Sequence, residues 1–161
     1  MKPRYLFTVI GLLCLLHTSH AQQVRFYYPD STLSSEGTLR EGKPDGFWKT
    51  YYPEGTLKSA GNRKNFLLDS VWYFFYQNAD TAESIEYRAA RKNGYYLKYQ
   101  QSTPSLKNIV VAKELWLNDK RNGPAFYFHS NGILQMEVRF DDGLKQGDAK
   151  VYDETGRLVA I

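Results

Sequence analysis

Cysteine, histidine and net charge are all scarce in this 161-residue chain. The single cysteine is Cys14, and the formal net charge is +4. Two of the three histidines also lie in the first 21 residues, so a chain without this segment has no disulfide and no cysteine-based metal site. Loss of Lys2 and Arg4 with the same segment leaves a net charge of about +2. A domain so close to neutral gives no electrostatic argument for nucleic-acid binding.

The first 21 residues predict a secretory signal peptide. A positively charged start precedes an apolar run over residues 6–16, and Ser19 and Ala21 place small side chains where a signal peptidase needs them. The run is too short to span a bilayer as a stable helix, although an uncleaved N-terminal anchor is the alternative. We therefore expect a signal helix over residues 1–21, cleavage after Ala21, and export to the periplasm or cell envelope.

Aromatic residues are abundant by contrast. The chain has 13 Tyr and 9 Phe, most of them in short runs between clusters of Gly, Asn and Asp. This pattern is typical of β-strands separated by turns, and the sequence shows no long stretch of helical periodicity. The composition predicts one all-β domain over residues 22–161.

A repeat of about 24 residues organises this domain. Segments resembling Asp-Gly-Phe-Trp-Lys-Thr-Tyr recur 24 residues apart, except before the fourth copy, where the spacing is 29. The copies span residues 45–51, 69–75, 93–99, 122–128 and 146–152. A half-unit at about residues 26–41 precedes these five units, which continue to residue 160.

Each unit is expected to form one β-hairpin. The second residue of each copy, a Gly or Ser, is called the reference residue. Five residues past it an aromatic residue always stands, namely Tyr51, Phe75, Tyr99, Phe128 and Tyr152. Two residues past it stand Trp48, Trp72, Tyr96, Ala125 and Ala149. Because these positions are an odd number of residues apart, their side chains point to opposite faces of a strand. With further turns near residues 41–46 and 141–147, the predicted fold is an elongated, twisted antiparallel meander of repeated hairpins.

The spacing of glycine and aromatic residues resembles that of a known family. Gly42, Gly46, Trp48 and Tyr51 are followed by Gly55 and Leu57, and the last copy repeats the pattern with Gly143, Gly147, Tyr152, Gly156 and Leu158. This pattern is similar to the MORN-repeat variant family, which includes bacterial YwqK-like antitoxin repeat proteins, and the resemblance covers about residues 26–160. It implies an antitoxin-like role for some members, and protein scaffolding or membrane-lipid association in eukaryotic relatives. It assigns no role to an individual residue.

The sequence contains no recognisable catalytic constellation. His129 is the only histidine after the predicted signal peptide, and no partner for catalysis or metal binding can be identified from spacing. It stands where Tyr52 stands three units earlier in the pattern, which favours a structural role. The carboxylates of residues 141–142 and 153–154 fall at predicted turns, where Asp forms local hydrogen bonds. We therefore expect no enzyme activity, no cofactor and no metal.

Aromatic and basic side chains are the candidate binding residues. The predicted surface comprises Trp48, Trp72, Tyr73, Arg88, Tyr96 and Lys98. Trp48 and Trp72 occupy equivalent positions, so they form either a stacking ladder for a ligand or, as we favour, part of the core. The basic residues form either a small positive patch or an ordinary solvated face, and the second is favoured.

The favoured function is a non-enzymatic, protein-binding scaffold in the cell envelope. The partner is expected to be another protein. The alternatives are an antitoxin-like neutraliser of a partner protein, a glycan or cell-wall binder, and a membrane-lipid binder acting through aromatic rows.

Overall fold

A computed structural model describes residues 21–161 of the chain. Within this range the regular structure consists of twelve β-strands and no helix. The strands are β1 (Ala21–Tyr27), β2 (Leu33–Arg40), β3 (Lys43–Tyr51), β4 (Leu57–Lys64), β5 (Leu67–Phe75), β6 (Thr81–Arg88), β7 (Arg91–Tyr99), β8 (Val110–Leu117), β9 (Lys120–Phe128), β10 (Leu134–Asp141), β11 (Leu144–Tyr152) and β12 (Leu158–Ala160).

All twelve strands belong to one open sheet, in the order in which they occur along the chain. Every neighbouring pair is antiparallel. The predicted all-β meander of hairpins is therefore confirmed. The expected signal helix lies outside the described residues and stays a prediction. The first strand begins at Ala21, the residue after which cleavage is predicted.

A bulge interrupts each long strand that starts a unit. The reference residue of the unit lies inside the strand with a positive φ: 75° at Gly46, 61° at Ser70 and 126° at Gly94. The pairing register shifts at this point, as between Glu36 and Thr38 opposite β3. Glycine is frequent here because a residue without Cβ adopts this conformation without strain. The reference glycine thus serves a bulge within the strand.

The turns that join consecutive units are shorter than predicted. Residues 41–46 were expected to form one turn, but only Glu41 and Gly42 do so, and β3 begins at Lys43. Both turn residues have positive φ, 52° and 75°. Two consecutive residues with positive φ are typical of the type I′ turn, whose twist matches that of the flanking strands. Residues 43–46 were predicted in the turn, but they belong to the bulged strand β3.

The two faces of the sheet differ in packing. The tryptophan face carries Trp48, Trp72, Ile85 and Val138, all with less than one tenth of their surface exposed. The opposite face, here called the open face, carries side chains such as Lys49, Tyr73, Leu97, Lys113 and Phe126, which pair across neighbouring strands.

Every buried side chain larger than Ser lies on the tryptophan face, whereas the open face buries only Ala60 and Ser84 among the described residues. Because successive side chains of a strand alternate between faces, this separation follows from the register. The core is thus a single layer of side chains on one face.

Candidate functional site

Tryptophan side chains on the tryptophan face lie over glycines of the preceding strand. A Cβ atom built on Gly37 would stand 2.4 Å from the Trp48 ring, and one on Gly61 would stand 2.4 Å from the Trp72 ring. Each indole N–H donates to a backbone carbonyl, at 3.1 Å to Thr38 and 2.7 Å to Asn62. The rings are therefore held flat against the sheet, with their polar atoms paired.

Cations cover aromatic rings elsewhere on the same face. The Arg63 guanidinium lies 5.5 Å from the Trp72 ring, the Lys92 ammonium 4.5 Å from the Trp116 ring, and the Arg121 guanidinium 3.9 Å from the Phe140 ring. Burial lowers the pKa of Arg63. These contacts occupy the aromatic surfaces of the tryptophan face, so those rings are not free to stack on a ligand.

Glu114 is a buried carboxylate on the tryptophan face. Its side-chain oxygens accept hydrogen bonds from the Tyr127 hydroxyl at 2.6 Å and from the Trp116 indole at 2.9 Å, and the Arg121 guanidinium lies 3.9 Å away. Burial and the bond to Glu114 raise the pKa of Tyr127. All these donors belong to the sheet, so the carboxylate is satisfied within the fold.

A ladder of side chains ties each unit to the next at the end of the sheet with the longer turns. The hydroxyls of Tyr28, Tyr52 and Tyr76 donate to the backbone carbonyls of residues 51, 75 and 99, at 2.7–2.9 Å. His129 lies 2.9 Å from the corresponding carbonyl of Tyr152 through Nε2. This contact agrees with the structural role predicted for His129.

Large aromatic side chains stand exposed on the open face. Phe47, Tyr73 and Tyr95 retain 51%, 45% and 46% of their surface exposed. In the register, Val71 and Leu97 lie on the same face in β5 and β7. Exposed apolar side chains that are grouped in this way are typical of an interaction surface.

Ion pairs flank this aromatic region on both sides. Near β1, Glu36 accepts from Arg25 at 3.3 Å and lies 3.7 Å from the Lys49 ammonium. Near β11, Lys150 lies 2.7 Å from Glu137. The open face thus has charged margins and a largely apolar middle, in which Glu86 and Lys113 are charged, an arrangement that resembles protein–protein interfaces.

Glu36 also holds the hydroxyl of Tyr51. The Tyr51 hydroxyl donates to Glu36 at 2.7 Å. Burial, together with this bond, raises the pKa of Tyr51 to about 12, and the same bond lowers the pKa of Glu36. At neutral pH the pair is therefore a neutral phenol and a carboxylate.

The six predicted binding residues do not gather on one surface. Trp48, Trp72, Tyr96 and Lys98 belong to the tryptophan face, where the two tryptophans are 7% and 4% exposed. The favoured interpretation of these tryptophans as core residues agrees with this burial. Tyr73 lies on the open face, whereas Arg88 lies opposite Arg91 beside a tight turn. Whether any of them contacts a partner stays a prediction.

The other exposed aromatic residues of the open face were not predicted as binding residues. Phe47 and Tyr95 each stand one residue past the reference Gly, directly before the predicted binding residues Trp48 and Tyr96. An aromatic at two adjacent positions signals that both faces carry rings, but it does not say which ring is covered. Gly37 and Gly61 also went unnoticed, although they stand 24 residues apart.

Residues 21–161 contain neither a membrane-spanning helix nor a metal-binding cluster. No helix in this range is long and apolar enough to cross a membrane. No group of three or more His, Cys, Asp or Glu side chains in the same range is arranged to hold a metal ion.

Comparison with known proteins identifies two of the hairpins. A family model of the MORN repeat variant matches residues 44–65, which span most of β3 and β4, and residues 121–142, which span most of β9 and β10. No curated protein sequence matches the chain. The match does not extend to the YwqK-like subfamily, so an antitoxin-like role stays a prediction. MORN repeats are generally associated with protein or membrane binding, and these two hairpins of the sheet are similar to the repeat of the variant type.

Proposed function

We propose that this chain is an exported, non-enzymatic repeat protein that acts as a protein-binding scaffold in the cell envelope, and that it binds through the open face. The observation that carries the proposal is the exposure of Phe47, Tyr73 and Tyr95, each at 45–51%, on one face of the sheet. Such grouped apolar side chains gain free energy when a partner removes them from water.

The form of the open face favours a protein over a small ligand. The face is a broad sheet surface whose depression near β10 and β11 is lined by Phe126, Glu137 and Arg139. Tyr and Phe are enriched at the centres of protein interfaces, and charged pairs at their margins. Small molecules are instead usually enclosed by concave pockets.

Export is supported by the predicted signal peptide at residues 1–21. Expression of the full chain, followed by fractionation and N-terminal sequencing, tests it. We expect a periplasmic or envelope fraction whose chain begins at Gln22. A cytoplasmic chain that begins at Met1 would contradict the envelope role and leave the binding role of the open face to be tested separately.

Proximity labelling in living cells tests the binding role. We expect the wild-type chain to label a defined set of proteins, and Tyr73→Glu combined with Tyr95→Glu to lose that set, because two charges would then have to be buried in the interface. Lys107→Glu in the exposed loop between β7 and β8 is the matched control, since it also introduces a negative charge. Equal labelling by all three chains would contradict binding through the open face.

A membrane surface is the second candidate, because one end of the sheet combines basic and apolar side chains. The tight turns at this end carry Arg88 and Arg91 together with Leu67, Leu117 and Leu144, the last three being 45%, 48% and 70% exposed. Basic and apolar side chains together favour anionic lipid surfaces. Co-sedimentation with anionic vesicles that is lost in Arg88→Glu with Arg91→Glu would favour this candidate.

A further inference from the structure

One row of side chains crosses the open face at right angles to the strands. Consecutive pairings connect it from β2 to β11. In order it contains Glu36, Lys49, Ala60, Tyr73, Ser84, Leu97, Lys113, Phe126, Glu137 and Lys150. Charged side chains stand toward both ends, and the small Ala60 and Ser84 alternate with Tyr73 and Leu97 in the middle, where Lys113 is the one charged member of the row.

We propose that the protein bound by the open face is a second copy of this chain, packed face to face about a two-fold axis that runs parallel to the strands between β6 and β7. This inference rests on the proposed binding role of the open face. The axis passes through the middle of the twelve strands, so β3 lies over β10 of the second copy, β4 over β9, β5 over β8, and β6 over β7.

Charge complementarity supports this arrangement. In it, Lys49 meets Glu137 of the second copy, and Glu36 meets Lys150 of the second copy. By symmetry each contact occurs twice. Opposite charges at the margins of an interface steer association and fix its register.

Displacement by one strand in either direction brings like charges together. A shift one way places Glu36 over Glu137 of the second copy, and a shift the other way places Lys49 over Lys150. Specific association requires that such alternatives are less favourable than the intended one. The row thus selects the central axis over both of its neighbours.

Shape complementarity supports the same axis. Ala60 and Ser84, at 7% and 6% exposure, are low points between taller side chains. The axis places Phe126 of the second copy over Ala60 and Leu97 of the second copy over Ser84. Large side chains that enter the gaps above small ones give the interdigitation seen between packed sheets.

The size of the face suits a stable dimer. Sheets in aligned face-to-face packing keep their strand directions within about 30° of each other, as a two-fold axis parallel to the strands requires. The ten strands from β2 to β11, spaced about 4.8 Å apart and about 28 Å long, present a face of about 1,300 Å², which is more than the roughly 800 Å² that each partner of a standard interface buries.

Charge reversal at positions 49 and 137 tests the inference. Chains purified after expression of the full sequence are studied by sedimentation velocity from about 1 to about 100 µM, and we expect a dimer of the wild type within that range. Lys49→Glu and Glu137→Lys alone should each raise the dissociation constant at least about tenfold, because each creates two like-charge contacts. The double variant, and an equimolar mixture of the two single variants, should restore dimerisation. Lys107→Glu in the exposed loop between β7 and β8 is the control and should leave the dimer unchanged.

Restoration distinguishes contacts between chains from contacts within one chain. Positions 49 and 137 stand on β3 and β10, seven strands or about 34 Å apart, so they cannot pair within a chain. A monomer at every concentration, or a double variant as weak as the single variants, would overturn the inference. If the monomer still labels other proteins in a manner that depends on Tyr73 and Tyr95, only the identity of the partner is wrong. If the monomer labels none, the proposed binding role fails as well.

Discussion

Glycine and tryptophan act as a pair on the tryptophan face. Glycine inside a strand usually weakens it, because it has no side chain to pack and loses more conformational freedom on folding. Here the missing Cβ of Gly37 and Gly61 lets the rings of Trp48 and Trp72 lie against the neighbouring strand. Burial of a large aromatic ring stabilises the fold by roughly 1.5–3 kcal/mol, which offsets the cost of the glycine.

Gly61→Ala should lower the free energy of unfolding by about 2–3 kcal/mol, since the new methyl group would overlap the Trp72 ring. Urea denaturation followed by circular dichroism measures the change. In a Trp72→Ala background the same substitution should cost little, because the ring that it meets is gone. Equal costs in the two backgrounds would show that the ring is not the cause.

Tyr51 and Glu36 predict a dependence of stability on pH. The folded pKa of Tyr51, about 12, lies above its ordinary value of 10.0, so its contribution is complete below pH 10 and is lost as pH rises toward 12. The lowered pKa of Glu36 adds stability above its ordinary value of 4.5 that is lost as pH falls.

Ring-labelled tyrosine spectra recorded against pH measure the titration of Tyr51. Glu36→Gln should move the Tyr51 pKa back toward 10 but not fully, because burial, the larger cause, remains. Tyr51→Phe identifies the signal. A Tyr51 that titrates at 10 in the wild type would refute the hydrogen bond to Glu36.

Among the structural elements, the turn between β6 and β7 is unfavourable in both of its residues. Ala89 and Ala90 adopt φ values of 51° and 64°. A side chain with Cβ is strained in this region by roughly 1–2 kcal/mol, whereas Asn and Gly adopt it readily. The turn is maintained by the packing of the strands that it connects.

Ala89→Asn combined with Ala90→Gly should therefore raise the free energy of unfolding by about 1–2 kcal/mol. The reverse change at the equivalent turn, Gly42→Ala at φ 75°, should lower it. Thermal and urea unfolding of both variants test the pair. A fall in stability for the Asn-Gly variant would mean that the turn is not of the type I′ form.

The ladder at the opposite end of the sheet makes His129 replaceable by the residue found in other units. His129→Tyr should keep the bond to the carbonyl of Tyr152 and leave stability within about 0.5 kcal/mol, whereas His129→Phe should cost about 1 kcal/mol. Denaturant unfolding compares the two variants. Loss of folding in His129→Tyr would contradict the equivalence with Tyr52.

The number and order of strands were predictable from the constant spacing of Tyr51, Phe75 and Tyr99, because a repeat of fixed length requires the same hairpin each time. The bulge at Gly46 was not predictable, since glycine is equally suited to a turn and to a bulge with positive φ. As a result the strands were expected to be shorter than they are. The predicted strands are too short because the glycine of the bulge was interpreted as part of the turn.

For the molecule as a whole, a single sheet leaves both faces in contact with water. On the tryptophan face, large rings lie flat over glycine, and the cations of Arg63, Lys92 and Arg121 cover aromatic rings, so water has little access to them. The open face has fewer such covers, although the Lys113 ammonium lies 4.9 Å from the Tyr95 ring. The tryptophan face therefore contributes most of the stability, and the open face remains available for association.

The candidate site was predictable only in part. The alternation of side chains predicted that Trp48 and Tyr51 point to opposite faces, and the register confirms it. Which face is covered depends on the residue across the strand, such as Gly61 beneath Trp72, and that pairing is known only once the register is known. Tyr73 was therefore grouped with residues of the other face.

The central claim is that the open face is the surface through which the chain associates. Hydroxyl-radical footprinting of the associated and the dilute chain tests it most directly, because it reports the exposure of each ring. We predict that the labelling of Phe47, Tyr73 and Tyr95 falls on association, while that of Phe26 on the tryptophan face stays the same. Unchanged labelling of the three open-face rings, with protection appearing at Phe26 instead, would contradict the claim.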